Sequence, residues 1–289
     1  MPEIAFLLGD TRIARNDNHL RLPAAFEAAG WAVTAVPQEA VRLAPNGVRF
    51  GATDPARFDL IWLLGLGRAE TFFDRMQLLR QLPQNRFVTR IDALVYLHAK
   101  YGWWRYMPET YASNDAGYLK SLLDQGGEWI AKPSAGSYGR DVERLRADPA
   151  GAAAIDRLTG NGAELYCLLQ RFVPEIAAGE KRTLVAGGRI IGSYLRMPEA
   201  GFRSNLAQGA SAQPASLEPG ERRLVESVAR ELVSEGIGYA AVDTVFPFLM
   251  EVNLANPGGL GTLAELGGGD VAGDVVAAVV AALSAVSGG

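Results

Sequence analysis

A chain of 289 residues has room for two or three lobes and can bury a sizeable core, since a typical domain runs to about 100 to 200 residues. Apolar residues make up 48% and charged residues 21%, which excludes a largely disordered chain, and a formal charge of -4 supplies no basic field for nucleic acid. The single Cys167 cannot close an internal disulfide and, within Leu165-Tyr-Cys-Leu-Leu169, reads as a buried strand residue, so a cytoplasmic setting fits.

The first apolar run, Ile4 to Leu8, is strand-length and ends at Gly9-Asp10, unlike a targeting signal. A helical run ending near Gly30, a strand from Trp31 to Val36, a small hairpin around Pro45-Asn-Gly47 and the apolar strand Leu60 to Leu64 follow. A helix from Glu70 to Leu82 and a strand at Phe87 and Val88 complete this part. The alternation predicts a parallel sheet with helices on its faces, open at the carboxyl ends of its strands, where ligands bind. Gly65-Leu-Gly-Arg68 sits at such an end.

From Pro108 the pattern reads as a small lid lobe: strand Glu109 to Ala112, helix Asn114 to Gln125, strand Trp129 to Lys132, a glycine-rich loop, and a further strand and helix leading to Leu165. The remainder is strand-rich from Leu165 to Arg196. It carries a polar loop from Ala200 to Pro214, a helix from Pro219 to Ser234, and two apolar runs, Tyr239 to Asn253, that turn at Pro247. Val275 to Val286 is too short for the roughly 20 residues that cross a bilayer and follows Asp270 and Asp274, so it reads as a packed terminal helix rather than a membrane anchor.

Chemistry concentrates in the hairpin. Residues two apart on a strand share a face, so Glu251 and Asn253 project together and the turn brings Asp243 back beside them. Three hard oxygen donors in an apolar hairpin are costly without a cation, and Mg²⁺ commonly completes its shell with substrate phosphates. Lys132 ends an apolar strand and is followed by Gly136-Ser137-Tyr138-Gly139, whose glycines let main-chain N–H groups approach phosphate oxygens. Gln170-Arg171-Phe172-Val173 runs from a strand into a bend whose main chain can meet an adenine edge. Arg182, Arg196 and Arg203 are spaced to converge on the hairpin, and a guanidinium fork suits phosphate and carboxylate.

These segments, in this order from about Lys100 to Gly261, resemble the ATP-grasp superfamily, and within it the prokaryotic glutathione synthetase group. The resemblance implies an α/β ATP-grasp fold with α+β lobes: an N-terminal parallel-sheet domain over 1–98, a lid lobe over 99–169, and a C-terminal lobe over 170–289 holding the metal and substrate site. ATP would be held by Lys100, Lys132, the 136–139 loop and the 170–173 hinge, with one or two Mg²⁺, or Mn²⁺ in their place, on Asp243, Glu251 and Asn253. Arg182, Arg196, Arg203 and Asn205 would be catalytic. Arg182 and Arg203 with Asn256, Gly258 and Gly259 would bind substrate, the main-chain amides of that last segment offering a helix start to a carboxylate.

The implied reaction is ATP-driven joining of a small amino-acid or peptide carboxylate to an amine through an acyl phosphate, as in glutathione synthesis from γ-glutamylcysteine and glycine, by a homo-oligomer. Such chemistry needs no protein nucleophile, so His19 and His98 are expected to be structural, and Asp243→Asn or Glu251→Gln to cut turnover while leaving the fold intact. A ligase for another acid and amine, and a nucleotide-binding module acting through a partner, remain open alternatives. The segments Gly9 to Asp17 and Gly65 to Glu70 depart from the family's forms, the second replacing a Lys-Asp-Pro-type segment.

Overall fold

The computed structural model describes residues 1–11, 16–98, 100–133, 142–161, 164–198 and 210–287, with side chains as far as 283. The N-terminal part contains β1 (Glu3–Leu8), α1 (Asn18–Ala28), β2 (Ala32–Pro37), the hairpin β3 (Val41–Ala44) and β4 (Gly47–Phe50), β5 (Leu60–Leu64), α2 (Phe72–Leu79) and α3 (Ile91–Tyr96). Strands β2, β1 and β5 form a parallel sheet in that order. All five residues of β5 are buried, as parallel strands covered on both faces require. Alternation then sorts the side chains: Ala5, Leu7, Ile61 and Leu63 enter one core, Ile4, Phe6, Leu60, Trp62 and Leu64 another.

The segment expected to form the lid folds as a four-stranded sheet of order β6-β9-β7-β8, made of β6 (Thr110–Ser113), β7 (Trp129–Pro133), β8 (Glu143–Leu145) and β9 (Cys167–Arg171). Helices α4 (Ala116–Leu123) and α5 (Pro149–Leu158) cover one face, burying Leu119, Leu122, Leu123, Ala154, Ile155 and Leu158 against Trp129, Ala131, Cys167 and Leu169. Asp115 and Asp148 cap them by accepting the N–H groups of Tyr118 and Gly151. Ile130, Lys132, Leu168 and Gln170, at the alternate positions, are on the other face.

The C-terminal lobe is an antiparallel sheet of order β12-β11-β10-β13-β14. Its strands are β10 (Glu180–Ala186), β11 (Arg189–Met197), β12 (Ser211–Pro214), β13 (Tyr239–Val245) and β14 (Phe248–Asn253), with helices α6 (Pro219–Ser234), α7 (Leu260–Leu263) and α8 (Ala272–Ser287). β13, bordered on both sides, is buried along all seven residues. One face packs on α6 through Val225, Val228, Ala229 and Leu232, the i, i+3, i+4, i+7 stripe of an amphipathic helix. The other face meets α8 and the N-terminal sheet through Leu184, Ala186, Tyr194, Tyr239 and Ala241.

Several expectations are revised. The helix expected over 70–82 shrinks to α2 behind a 3₁₀ turn, Ala69–Thr71, and the strand expected at 87–88 is a single parallel bridge from Phe87 to Ile61. α3 and a 3₁₀ stretch, Tyr101–Tyr106, fill a region that gave no periodic signal. The polar loop expected to run to Pro214 ends instead in the edge strand β12. Among the described residues no helix is long and apolar enough to cross a membrane.

Candidate active site

The face of the C-terminal sheet that carries Leu184, Ala186 and Ala241 turns polar toward one end. Glu180 and Arg182 precede Leu184 on β10 at the same parity, Arg196 follows Tyr194 on β11, Asp243 follows Ala241 on β13, and Glu251 and Asn253 lie opposite Asp243 and Ala241 on β14. The strand register alone therefore gathers six polar side chains at the edge of a buried apolar surface.

Asp243 is the hub, with 1% of its surface exposed. Arg182 forks it, Nε to Oδ1 at 2.8 Å and Nη2 to Oδ2 at 2.6 Å. Arg196 Nη2 lies 2.9 Å from Oδ2 and donates also to Glu180 Oε2 at 2.5 Å. Asn253 Nδ2 is 3.3 Å from Oδ2. Burial opposes the charge on Asp243, but the two guanidiniums outweigh it and hold the carboxyl below its usual range, while Asp243 raises the pKa of buried Arg182 in return. Glu251 behaves alike: burial would raise it, and Lys100, with Nζ 2.9 Å from Oε1, holds it low.

The lid contributes Lys132, which donates to Gln170 Oε1 at 3.1 Å, while Gln170 Nε2 donates to Thr110 Oγ1 at 2.8 Å. Burial pushes the Lys132 ammonium down to about 8, and Lys100 pushes the same way against Glu251 and Glu180. Lys132 is thus within electrostatic reach of Lys100, Glu251 and Glu180. His98, lowered by burial, accepts the Leu254 N–H on Nδ1 at 3.2 Å, just past the end of β14.

The hinge divides its labour. Arg171 points to the opposite side from Gln170: its guanidinium lies 3.8 Å from the Trp129 ring and bonds Glu109 and the Gly126 carbonyl. Its main-chain N–H is taken by Glu109 and that of Phe172 by Glu128, which leaves Val173 with an unengaged N–H among the described residues. Phe172 lies under the Arg144 guanidinium, and Val173 packs with Ile176 and Val245.

Asn256, Gly258 and Gly259 lie just past β14, where Gly258 O faces Arg182 Nη1 at 3.4 Å. Gly259 has φ of 143°, and a Cβ there would sit 3.2 to 3.3 Å from Leu184 and Tyr194, so glycine is needed. The helix start expected at this segment exists, but α7 has only four residues and offers little dipole. Gly136, Ser137, Tyr138, Gly139, Arg203 and Asn205 lie outside the described residues. Glu180 was not singled out as a site residue, although its i, i+2 spacing from Arg182 on a strand carried the signal.

Asp243, Glu251 and Asn253 put three oxygen-bearing side chains of the type a hard cation takes on one face, though here both Asp243 oxygens accept from Arg182 and Arg196, Asn253 turns its Nδ2 to Asp243 and Glu251 pairs with Lys100, so a cation would have to displace some of these contacts. Three such donors are a count Mg²⁺ accepts when phosphates supply the rest.

The model for the ATP-grasp domain of prokaryotic glutathione synthetase matches residues 98–268, more than half the chain. The chain belongs to this family. Glutathione synthetase of Prochlorococcus marinus subsp. pastoris is 29% identical over 188 residues, 65% of this chain and 59% of its own length. That of Parasynechococcus marenigrum is 29% identical over 212 residues, 71% of this chain and 69% of its own. The match thus spans about three-fifths of the Prochlorococcus enzyme. Among solved structures, the ATP-grasp ligase PsnB complexed with a phosphomimetic variant of minimal precursor, Mg and ADP aligns with a TM-score of 0.69 at 15% identity, over 98% of this chain and 99% of that one, which is a likeness of fold. The ATP-grasp elements are therefore the lid and the C-terminal sheet, set beside the N-terminal parallel sheet.

Proposed function

We propose that the chain is an ATP-dependent carboxylate–amine ligase. The observation that carries this reading is the charge cluster at the polar end of the C-terminal sheet, with Asp243, Glu251 and Asn253 on one face and Lys100 paired with Glu251. An acid's carboxylate oxygen attacks the γ-phosphorus of ATP and ADP leaves. The amine nitrogen then attacks the activated carbonyl, phosphate departs, and an amide and a proton remain. Asp243, Glu251 and Asn253 would hold Mg²⁺, which would supply charge neutralisation on the transferring group.

The chain's own part is positioning and electrostatics. Lys132 and Lys100 meet phosphate oxygens. Arg182 and Arg196, already fixed by Asp243, face the anionic reacting groups without needing to reorganise. Gln170 orients Lys132, and the free N–H of Val173 is the main-chain donor left for a purine edge. The lid keeps water from the acyl phosphate.

Glutathione formation from γ-glutamylcysteine and glycine is the first pair to assay, given the relatives' name. A different small acid and amine are favoured by one observation: Gly65-Leu-Gly-Arg68, which departs from the family's Lys-Asp-Pro-type segment, bonds the substrate end of β14 through Gly65 N to Ala255 O at 2.7 Å. The test is ADP release from MgATP with a panel of acids, each with glycine and other amines, and with hydroxylamine to trap the acyl phosphate as a hydroxamate. The expected result is ADP formation that requires an acid, with a hydroxamate of matching mass. Nucleotide binding without ADP release for every acid would leave a binding module instead.

A further inference from the structure

Asn18 opens α1 with its side chain fully buried. Its Nδ2 donates to Asn256 Oδ1 at 2.8 Å and to the Pro257 carbonyl at 2.9 Å, while its Oδ1 accepts nothing. The Pro257 carbonyl fixes this orientation. A main-chain oxygen can only accept, so Asn18 must turn its NH₂ toward it, even though a buried acceptor is stranded on the other side.

The choice propagates. Facing an NH₂, Asn256 must present its own Oδ1 to Asn18, and its Nδ2 then donates to nothing among the described residues. Nor can the segment easily rotate to escape. Four consecutive carbonyls are held: Ala255 O by Gly65 N at 2.7 Å, Asn256 O by Asn16 Nδ2 at 3.1 Å, Pro257 O by Asn18, and Gly258 O by Arg182. Through Arg182 the segment adjoins the Asp243 hub.

We propose that Asn18 is a positioning residue that sets the polarity of Asn256, so that Asn256 offers N–H donors to the substrate and selects an anionic oxygen of the acid. The identity of the bound group rests on the ligase reading, whereas the polarity of the amide does not. Asn18 touches no substrate; it acts by denying Asn256 the opposite orientation.

Asn18→Asp reverses the arrangement. An ionised aspartate accepts only, so above its pKa Asn256 must flip, donate to it and turn its oxygen outward, while the Pro257 carbonyl loses its donor. In protein labelled with ¹⁵N-asparagine, the Asn256 side-chain NH₂, assigned by its loss in Asn256→Ala, is expected to exchange freely with water in the wild type and slowly in Asn18→Asp. An Asn256 NH₂ already protected in the wild type would overturn the proposal. With an acid that drives ADP release, Asn18→Asp is expected to raise KM for the acid roughly 10- to 100-fold while KM for ATP stays within about twofold. Asn18→Leu, which cannot impose the reverse orientation, is expected to fall between. Equal rises in both KM values would mean a merely structural residue. If no acid drives ADP release from the wild type, the ligase reading is what has failed, and the exchange measurement alone decides the polarity.

Discussion

Lys132 holds its ammonium beside Gln170, where burial pushes its pKa down to about 8. Bound phosphate favours the charged form, so nucleotide binding raises that pKa again. Proton uptake should therefore accompany binding near and above pH 8, and affinity for ADP or ATP should fall as pH rises past that value. Titration calorimetry at pH 8.5 in two buffers of different ionisation enthalpy measures it. Equal apparent enthalpies would show that Lys132 stays charged in the free protein. The residue types at this site were legible because the i, i+2 rule needs only a strand assignment, which correctly grouped Glu251 with Asn253. Arg171 was not, since nothing local announces that its guanidinium will lie over Trp129, a partner 42 residues earlier in the chain.

At the scale of elements, Asp243 is a rivet. Through Arg182 and Arg196 it ties β13 to β10 and β11 at the polar end of the sheet. This changes what Asp243→Asn should do. The sequence suggested a loss of turnover with an intact fold, but a neutral side chain leaves buried Arg182 without its counter-charge, while Arg196 keeps Glu180. The expected cost is about 3–5 kcal/mol, as for breaking a buried ion pair. Urea denaturation of Asp243→Asn beside Glu251→Gln tests it, the second falling less because the Glu251 side chain is 30% exposed where that of Asp243 is 1%. Equal midpoints for Asp243→Asn and the wild type would refute the rivet. Elements with a strong local pattern were legible almost to the residue: α6 begins at Pro219 and ends at Ser234 as read, and the β13–β14 hairpin turns at Pro247. β12 and α3 were not, because a four-residue edge strand and a six-residue helix owe their form to the neighbours that hold them.

Across the whole molecule, the cores follow two bodies rather than three lobes. The N-terminal sheet and the C-terminal sheet share both large cores, whereas the lid has one to itself. Cys167, fully buried in the lid core, reports on that independence, its thiol pushed up to about 11 by burial. A thiol reagent should label it slowly in the native protein and, in rising urea, before far-ultraviolet dichroism reports global unfolding. A non-hydrolysable MgATP analogue should slow it further by tying Lys132 and Gln170 to the sheet. Labelling that tracks global unfolding would mean the lid has no separate stability. The parallel sheet of the first hundred residues was visible in the order of strands and helices, but the core it shares with the C-terminal sheet was not, since cores that join distant segments leave no local mark.

The main-chain bond between Gly65 and Ala255 marks a border as well as a join. On one side stand strands whose register fixes every charge of the Asp243 hub; on the other, residues 66–68 hang from β5 with no stake in that register. Of those three positions only Arg68, largely exposed, can change without disturbing the frame, since Gly67 has φ of 65° with Gln38 and Arg75 crowded against it and Leu66 packs on the core.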